Sequence, residues 1–134
     1  MTGVKILLIQ TPARESGVET LVVPPLGLAY LAAVAREAGH AVSILDAFAE
    51  GLSWEAFEAR VRAAGADLIG ITGMTPIADA VQRAIRLCRP HARWLVLGGP
   101  HATAQPDRIL ADNPELDFAV IGEGEVTFRE LLER

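Results

Sequence analysis

The chain has 134 residues, 51% of them hydrophobic, with a formal net charge of −5, three histidines and one cysteine. Its length fits one compact domain, residues 1–134, and no apolar run approaches the roughly 20 residues of a bilayer crossing, so a soluble, cytoplasmic protein with no membrane partner is expected. An acidic balance without a basic cluster speaks against nucleic acid as partner, and the lone Cys88 can build neither a disulfide nor an all-cysteine metal site within the chain.

In chain order, a near-continuous apolar run from Val4 to Ile9 predicts a strand covered on both faces. The link from Gln10 to Pro24 is long for a strand-to-helix connection, and long loops in compact domains are commonly functional. After Pro24-Pro25 a helix is predicted from Leu26 to Ala38, stopped by Gly39. The second strand, Ala41 to Leu45, runs into Asp46, which can serve as an N-cap or as a polar contact. Ser53 is a good N-cap for the next helix, which carries Phe57 and Val61 four residues apart and stops at Gly65.

The third strand, Leu68 to Ile71, ends in Thr72-Gly73-Met74, and Thr75-Pro76 suits the cap and first position of a helix that ends before Pro90. Cys88 lies on the apolar face of that helix with Val81 and Ile85, the place of a packed thiol. The fourth strand, Trp94 to Leu97, is followed by "GGPHAT", a short helix around Pro106 to Ala111, a fifth strand, Phe118 to Ile121, and "GEGE" before a last helix from about Glu125. Five such alternations give a doubly wound α/β fold with a five-stranded parallel sheet, most often ordered 2-1-3-4-5.

In open parallel sheets a ligand sits outside the carboxyl ends of the strands. The unusual residues gather there, as Thr11-Pro12 after strand one, Gly73-Met74-Thr75 after strand three, Gly98 to Thr103 after strand four and Gly122 to Glu125 after strand five. Taken singly, Gly98-Gly99 and Gly122 read as turn residues, His101 as a loop histidine, and Glu123 and Glu125 as acids favoured at a helix N-terminus. Four loops on one edge argue for a site. Gly70, inside strand three, shares a face with Thr72, and the two would form a shallow groove ending in a hydroxyl. The Ala29, Ala32 and Ala33 side of the first helix could make room for a ligand above it.

Several ligands of this architecture lack their chemistry here. A phosphoacceptor domain needs acidic residues after strand one and an aspartate ending strand three, where Gln10 and Thr72 stand. Dinucleotide binding needs G-x-G-x-x-G after the first strand, whereas "GEGEVT" follows the last and has Thr127 at the third glycine position. No G-K-[ST] phosphate loop, H-E-x-x-H helix or G-x-S-x-G elbow occurs.

The ordered set "KILLIQTP", "PPLGLAYLAAVAREAGH", "LIGITGMTP", "LVLGGPHAT" and "FAVIGEGE" resembles the N-terminal cobalamin-binding domain of the B12-dependent radical SAM enzymes over nearly the whole chain. The resemblance implies a flavodoxin-like, Rossmann-like domain that holds cobalamin at the carboxyl edge with its nucleotide tail buried. The residues it places at the cofactor are Thr11, Pro12, Leu26, Gly70, Thr72, Gly73, Met74, Thr75, Gly98, Gly99, Pro100, His101, Ala102, Thr103, Gly122, Glu123 and Gly124. The cobalamin domains of the mutases and methionine synthase are more distantly similar. Their S-x-L matches Thr72, Gly73 and Met74, and their G-G matches Gly98-Gly99, but their D-x-H-x-x-G has no counterpart between Gln10 and Gly27.

With no histidine before His40, the resemblance implies base-off cobalamin without a protein histidine ligand. It also implies a parent methyltransferase whose [4Fe-4S] cluster and S-adenosylmethionine belong to a radical SAM catalytic domain in cis, because one cysteine cannot supply C-x-x-x-C-x-x-C. On that reading the chain is a fragment that binds but does not catalyse. The alternatives are a cobalamin sensor or carrier, and a doubly wound domain for another nucleotide-like ligand.

Overall fold

The structure, a computed structural model, describes residues 3–12, 26–72, 78–98, 109–120 and 124–133. Five parallel strands form one sheet in the order β2-β1-β3-β4-β5, as expected. They are β1 (Lys5–Gln10), β2 (Ala41–Asp46), β3 (Leu68–Thr72), β4 (Trp94–Gly98) and the two-residue β5 (Phe118–Ala119). The apolar runs become strands because both faces of each central strand are covered, so neither parity of side chain needs to be polar. Ile6 to Ile9, Leu68 to Ile71 and Leu95 to Leu97 are all buried.

Six helices accompany the sheet among the described residues: α1 (Leu26–Glu37), α2 (Ala47–Glu50), α3 (Trp54–Ala64), α4 (Ala78–Cys88), α5 (Ile109–Asp112) and α6 (Gly124–Leu132). A 3-10 turn, Arg89–His91, carries the expected helix-stopping Pro90. The ends follow local chemistry. Ser53 Oγ accepts from the Ala56 amide at 3.1 Å to cap α3, and Gly65 closes that helix at φ +57°, a left-handed conformation that favours glycine. Gly39, at φ +92°, ends α1 and lets the His40 amide reach back to the Ala35 carbonyl at 3.1 Å.

Two apolar layers sandwich the sheet. On one face Leu7, Ile9, Ile69, Ile71, Leu95 and Leu97 meet Phe57 and Val61 of α3 and Val81, Ile85 and Cys88 of α4. On the other, Ile6, Leu8, Leu68 and Val96 meet Leu28, Ala32 and Ala35 of α1 and Phe128 and Leu132 of α6. Each large side chain withdrawn completely from water contributes about 1.5–3 kcal/mol, so these layers dominate the stability. Among the described residues, no helix is long and apolar enough to cross a membrane.

The fourth short helix is described over Ile109–Asp112, and its expected start near Pro106 lies outside the described residues. Two expectations are revised. The strand expected to run from Phe118 to Ile121 pairs only over Phe118–Ala119, with the Val120 amide still donating to the Leu97 carbonyl at 2.8 Å. On α1, Ala29 and Ala33 face solvent, and Ala32 alone of that expected trio turns to the sheet. Helical geometry explains this: Leu28, Ala32 and Ala35 form the buried stripe, and Ala29 and Ala33, each one position after a stripe residue, are turned about 100° from it.

Candidate functional site

The two edges of the sheet differ in how their polar groups are used. At the amino edge the partners close on one another. His40 Nδ1 accepts from the Val4 amide at 3.1 Å, and Asp67 Oδ2 accepts from the Lys5 amide at 2.9 Å. The Asp67 carbonyl takes the amides of Arg93 and Trp94, both at 3.0 Å. Arg89 donates to Asp117 Oδ2 at 2.7 Å and to the carbonyls of Glu115, Ala92 and Arg93, while the same Asp117 oxygen accepts from the Leu95 amide at 2.8 Å.

The carboxyl edge is built differently. Strand register aligns Asp46, Gln10, Thr72 and Gly98 in one row, with Val120 next to Gly98. One row inward stand Ile44, Leu8, Gly70, Val96 and Phe118. Because side chains alternate, both rows face α1 and α6. The outer row carries three polar side chains and a glycine; the inner row is apolar. Asp46, left open between two roles, is the N-cap of α2, its Oδ1 accepting from the Ala49 amide at 3.0 Å. That short helix was not expected, although Asp46 three residues before an amide and Gly51 after Glu50 are its local signals.

Immediately beyond β1, Thr11 is completely buried, and its Oγ1 has no hydrogen-bond partner among the described residues. Pro12 beside it is also buried. A buried hydroxyl without a partner costs about 1–3 kcal/mol, which a hydrogen-bonding group brought to it would recover. Sequence reasoning named Thr11 by its place in the chain; its isolation is visible only in three dimensions.

The two glycines of the groove behave differently. At Gly98, among the described residues, an added Cβ would meet Val120 Cβ at 3.8 Å and the Val120 carbonyl at 4.0 Å, ordinary contact distances that would admit a side-chain carbon without a clash. At Gly70 it would lie 2.9 Å from Leu8 Cδ2. The expected vacancy beside Gly70 is therefore filled by the end of a leucine side chain reaching across from β1. The Thr72–Gly98 row has no side chain at Gly98, and the row beneath is filled by Leu8.

Of the other residues expected at the site, Leu26 opens α1 and Gly124 opens α6, both helices on the groove side of the sheet. Gly73, Met74, Thr75, Gly99, Pro100, His101, Ala102, Thr103, Gly122 and Glu123 lie outside the described residues. The described histidines are far from the rim: His40 precedes β2 and His91 precedes β4, which puts both at the amino edge. Burial lowers the pKa of His40 from its ordinary 6.5. Cys88 is a buried free thiol whose pKa is pushed up to about 12, first by burial and then by Glu58, in keeping with a packing role. No group of three or more metal-ligating side chains occurs among the described residues.

Known proteins are similar to this chain in sequence and in fold. The chain is 36% identical over 138 aligned residues to an uncharacterized methyltransferase, PH0819, of Pyrococcus horikoshii, covering 99% of this chain and 30% of that protein. It is 30% identical over 112 residues to an anaerobic magnesium-protoporphyrin IX monomethyl ester cyclase of Rubrivivax gelatinosus, covering 81% of this chain and 20% of that one. The chain thus spans less than a third of the length of these relatives. Its fold superimposes with a TM-score of 0.83 and 19% identity on the radical S-adenosylmethionine methyltransferase TsrM of Kitasatospora setae, whose structure has cobalamin and a [4Fe-4S] cluster bound, covering 98% of this chain and 26% of that one. The family model described as B12 binding domain matches residues 18–132, and with a flavodoxin-like parallel sheet in the order β2-β1-β3-β4-β5, the chain belongs to the B12-binding domain family.

Proposed function

We propose that the chain is the cobalamin-binding module of a B12-dependent radical SAM enzyme, a methyltransferase, and that it holds cobalamin base-off without a protein histidine beneath the cobalt. The observation that carries this reading is the completely buried Thr11 Oγ1, without a partner among the described residues at the carboxyl rim of a B12-binding family sheet. The residues present fit the cofactor. A corrinoid nucleotide tail is elongated and bears polar atoms, and the Thr72–Gly98 row sets a hydroxyl beside a position with no side chain. Thr11 and Thr72 would supply the polar contacts, and Gly98 the clearance.

Bound cobalamin supplies the group-transfer chemistry of its cobalt; the chain's own residues bind it, orient it and keep water from its tail. The histidine-free reading is supported by topology, since His40 and His91 lie at the opposite edge and no histidine occurs between Gln10 and Gly27. In the sequence His101 follows β4, whereas such a ligand follows the first strand in the mutases. The [4Fe-4S] cluster and S-adenosylmethionine would be held by a further domain in cis, in keeping with the small share of its relatives' length that this chain covers.

The test is direct. Purified protein mixed with hydroxocobalamin and desalted should stay coloured, with the absorption bands of base-off cobalamin. A colourless protein overturns the cofactor assignment. His101→Ala should leave the bound spectrum nearly unaltered, and a large spectral change on that substitution overturns the histidine-free reading.

A further inference from the structure

The inner row of the groove holds a contradiction that the cofactor reading alone does not resolve. Gly70 stands in the middle of β3, where glycine weakens a strand and marks the close approach of another group. The group that approaches is not a ligand but Leu8: its Cδ2 lies 2.9 Å from the point a Cβ of residue 70 would occupy, nearer than side-chain carbons pack. Register puts Leu8, Gly70 and Val96 side by side, so Leu8 leans over the bare backbone of β3 and closes the space between its own strand and β4. One row out, among the described residues, no atom lies nearer than 3.8 Å to the point a Cβ of residue 98 would occupy.

The space beside Gly70 is therefore filled, one row in from the rim. What fills it is the far end of a side chain with two rotatable torsions, in the apolar layer with Leu28 and Ala32 of α1 and Val96 of β4. Leucine exchanges between staggered rotamers without backbone movement, and each exchange carries the terminal methyls to a new position. Ala32, the small residue of α1 in this layer, limits how much the helix above obstructs that movement.

Resting on the proposed cobalamin-binding role, we propose that Leu8 is a movable plug: it fills the space beside Gly70 while the domain is empty and swings out of it when the cofactor's nucleotide tail is seated. Gly70 serves both states. In the empty domain it admits the leucine methyl; in the loaded one it gives the tail its depth.

The experiment follows the leucine itself. The full chain, labelled with carbon-13 at leucine methyls, is titrated with hydroxocobalamin, whose low-spin cobalt(III) is diamagnetic, and Leu8 is assigned through Leu8→Met. On binding, the Leu8 methyls should shift and change rotamer, while those of Leu95, in the opposite apolar layer, should stay in place. In stopped-flow absorbance, Leu8→Ala should take up hydroxocobalamin at least threefold faster than the unaltered chain and give the same final spectrum.

A coloured protein whose Leu8 methyls do not move overturns the plug and leaves the cofactor reading standing. Uptake by Leu8→Ala at an unchanged or slower rate overturns it as well. A protein that stays colourless, with all methyls unmoved, removes the cofactor reading and the plug together. The methyl measurement is made on the unaltered chain, so it decides even if Leu8→Ala folds poorly.

Discussion

Alanine placed at Gly70 and at Gly98 should change stability in opposite directions, although the two positions lie on one face of the sheet in adjacent strands. Neither has the left-handed backbone that would strain a side chain, so the neighbours decide. Replacing a strand glycine by alanine gains about 0.5–1 kcal/mol, because the unfolded chain loses freedom it would otherwise have to surrender. At Gly98 the new carbon finds Val120 at 3.8 Å, an ordinary contact, and that gain should be kept in full. At Gly70 it meets Leu8 Cδ2 at 2.9 Å, short of the 3.4 Å at which ordinary contact begins. Overpacking costs about 1–3 kcal/mol, and because the obstructing atom is the end of a side chain that can give way the low end applies, which leaves Gly70→Ala destabilised by about 0.5 kcal/mol.

Equilibrium urea unfolding of the cofactor-free chain, followed by far-ultraviolet circular dichroism, measures both changes. A double variant sharpens the test. Leu8→Ala alone should cost about 2–5 kcal/mol, but it removes the methyl that obstructs position 70, so Gly70→Ala added to it should stabilise. The resulting coupling would be about 1 kcal/mol. Additive behaviour within about 0.5 kcal/mol would refute the contact between Leu8 and position 70. Loss of more than about 1 kcal/mol in Gly98→Ala would refute the clearance at position 98, since no described residue there opposes the gain.

Four further outcomes are expected. Thr11→Val removes an unpartnered buried hydroxyl, so the empty domain should be at least as stable in urea while cobalamin retention after desalting falls; unchanged retention would detach Thr11 from the cofactor. Arg89→Ala breaks four hydrogen bonds at the amino edge, with the Arg89 and Asp117 side chains 29% and 31% exposed, and should cost about 1–3 kcal/mol with little effect on bound colour. Cys88, buried with its pKa near 12, should react with a thiol-specific disulfide reagent at pH 8 only after urea unfolds the chain. His40 has a folded pKa below its unfolded one, so its stabilising contribution is present above pH 6.5 and is lost as pH falls through the folded value. His40→Asn should flatten the acid side of a stability-against-pH curve.

What the sequence made legible was mostly what depends on near neighbours. Continuous apolar runs such as Leu68 to Ile71 identify strands buried on both faces, and their alternation with Ser53-capped and Gly65-closed helices leads to the observed strand order. The rim was legible for the same reason, as Thr11, Thr72 and Gly98 follow or end strands that the pattern had already located. Contacts between distant positions were not. The arrangement around Arg89 joins residues up to 28 apart, and no periodicity signals it. The filling of the Gly70 space depends on Leu8, 62 positions away on a neighbouring strand, whose identity as a core leucine says nothing of the way it leans. The exposure of Ala29 and Ala33 has a different cause: in an alanine-rich helix the small residue marks no face, and only Leu28 and the helical period fix which side meets the sheet.

The fastening of the sheet at its amino edge has a consequence for how such a domain can change over generations. The ties made by Asp67, Asp117, Arg89 and His40 all sit on the side remote from the groove. Mutations that reshape the cofactor rim leave those ties intact, so the scaffold can tolerate experiments at one end that would unravel it at the other. A domain divided in this way can be joined to unfamiliar catalytic neighbours and refitted to them, with its ability to fold resting on residues the new partner need never touch.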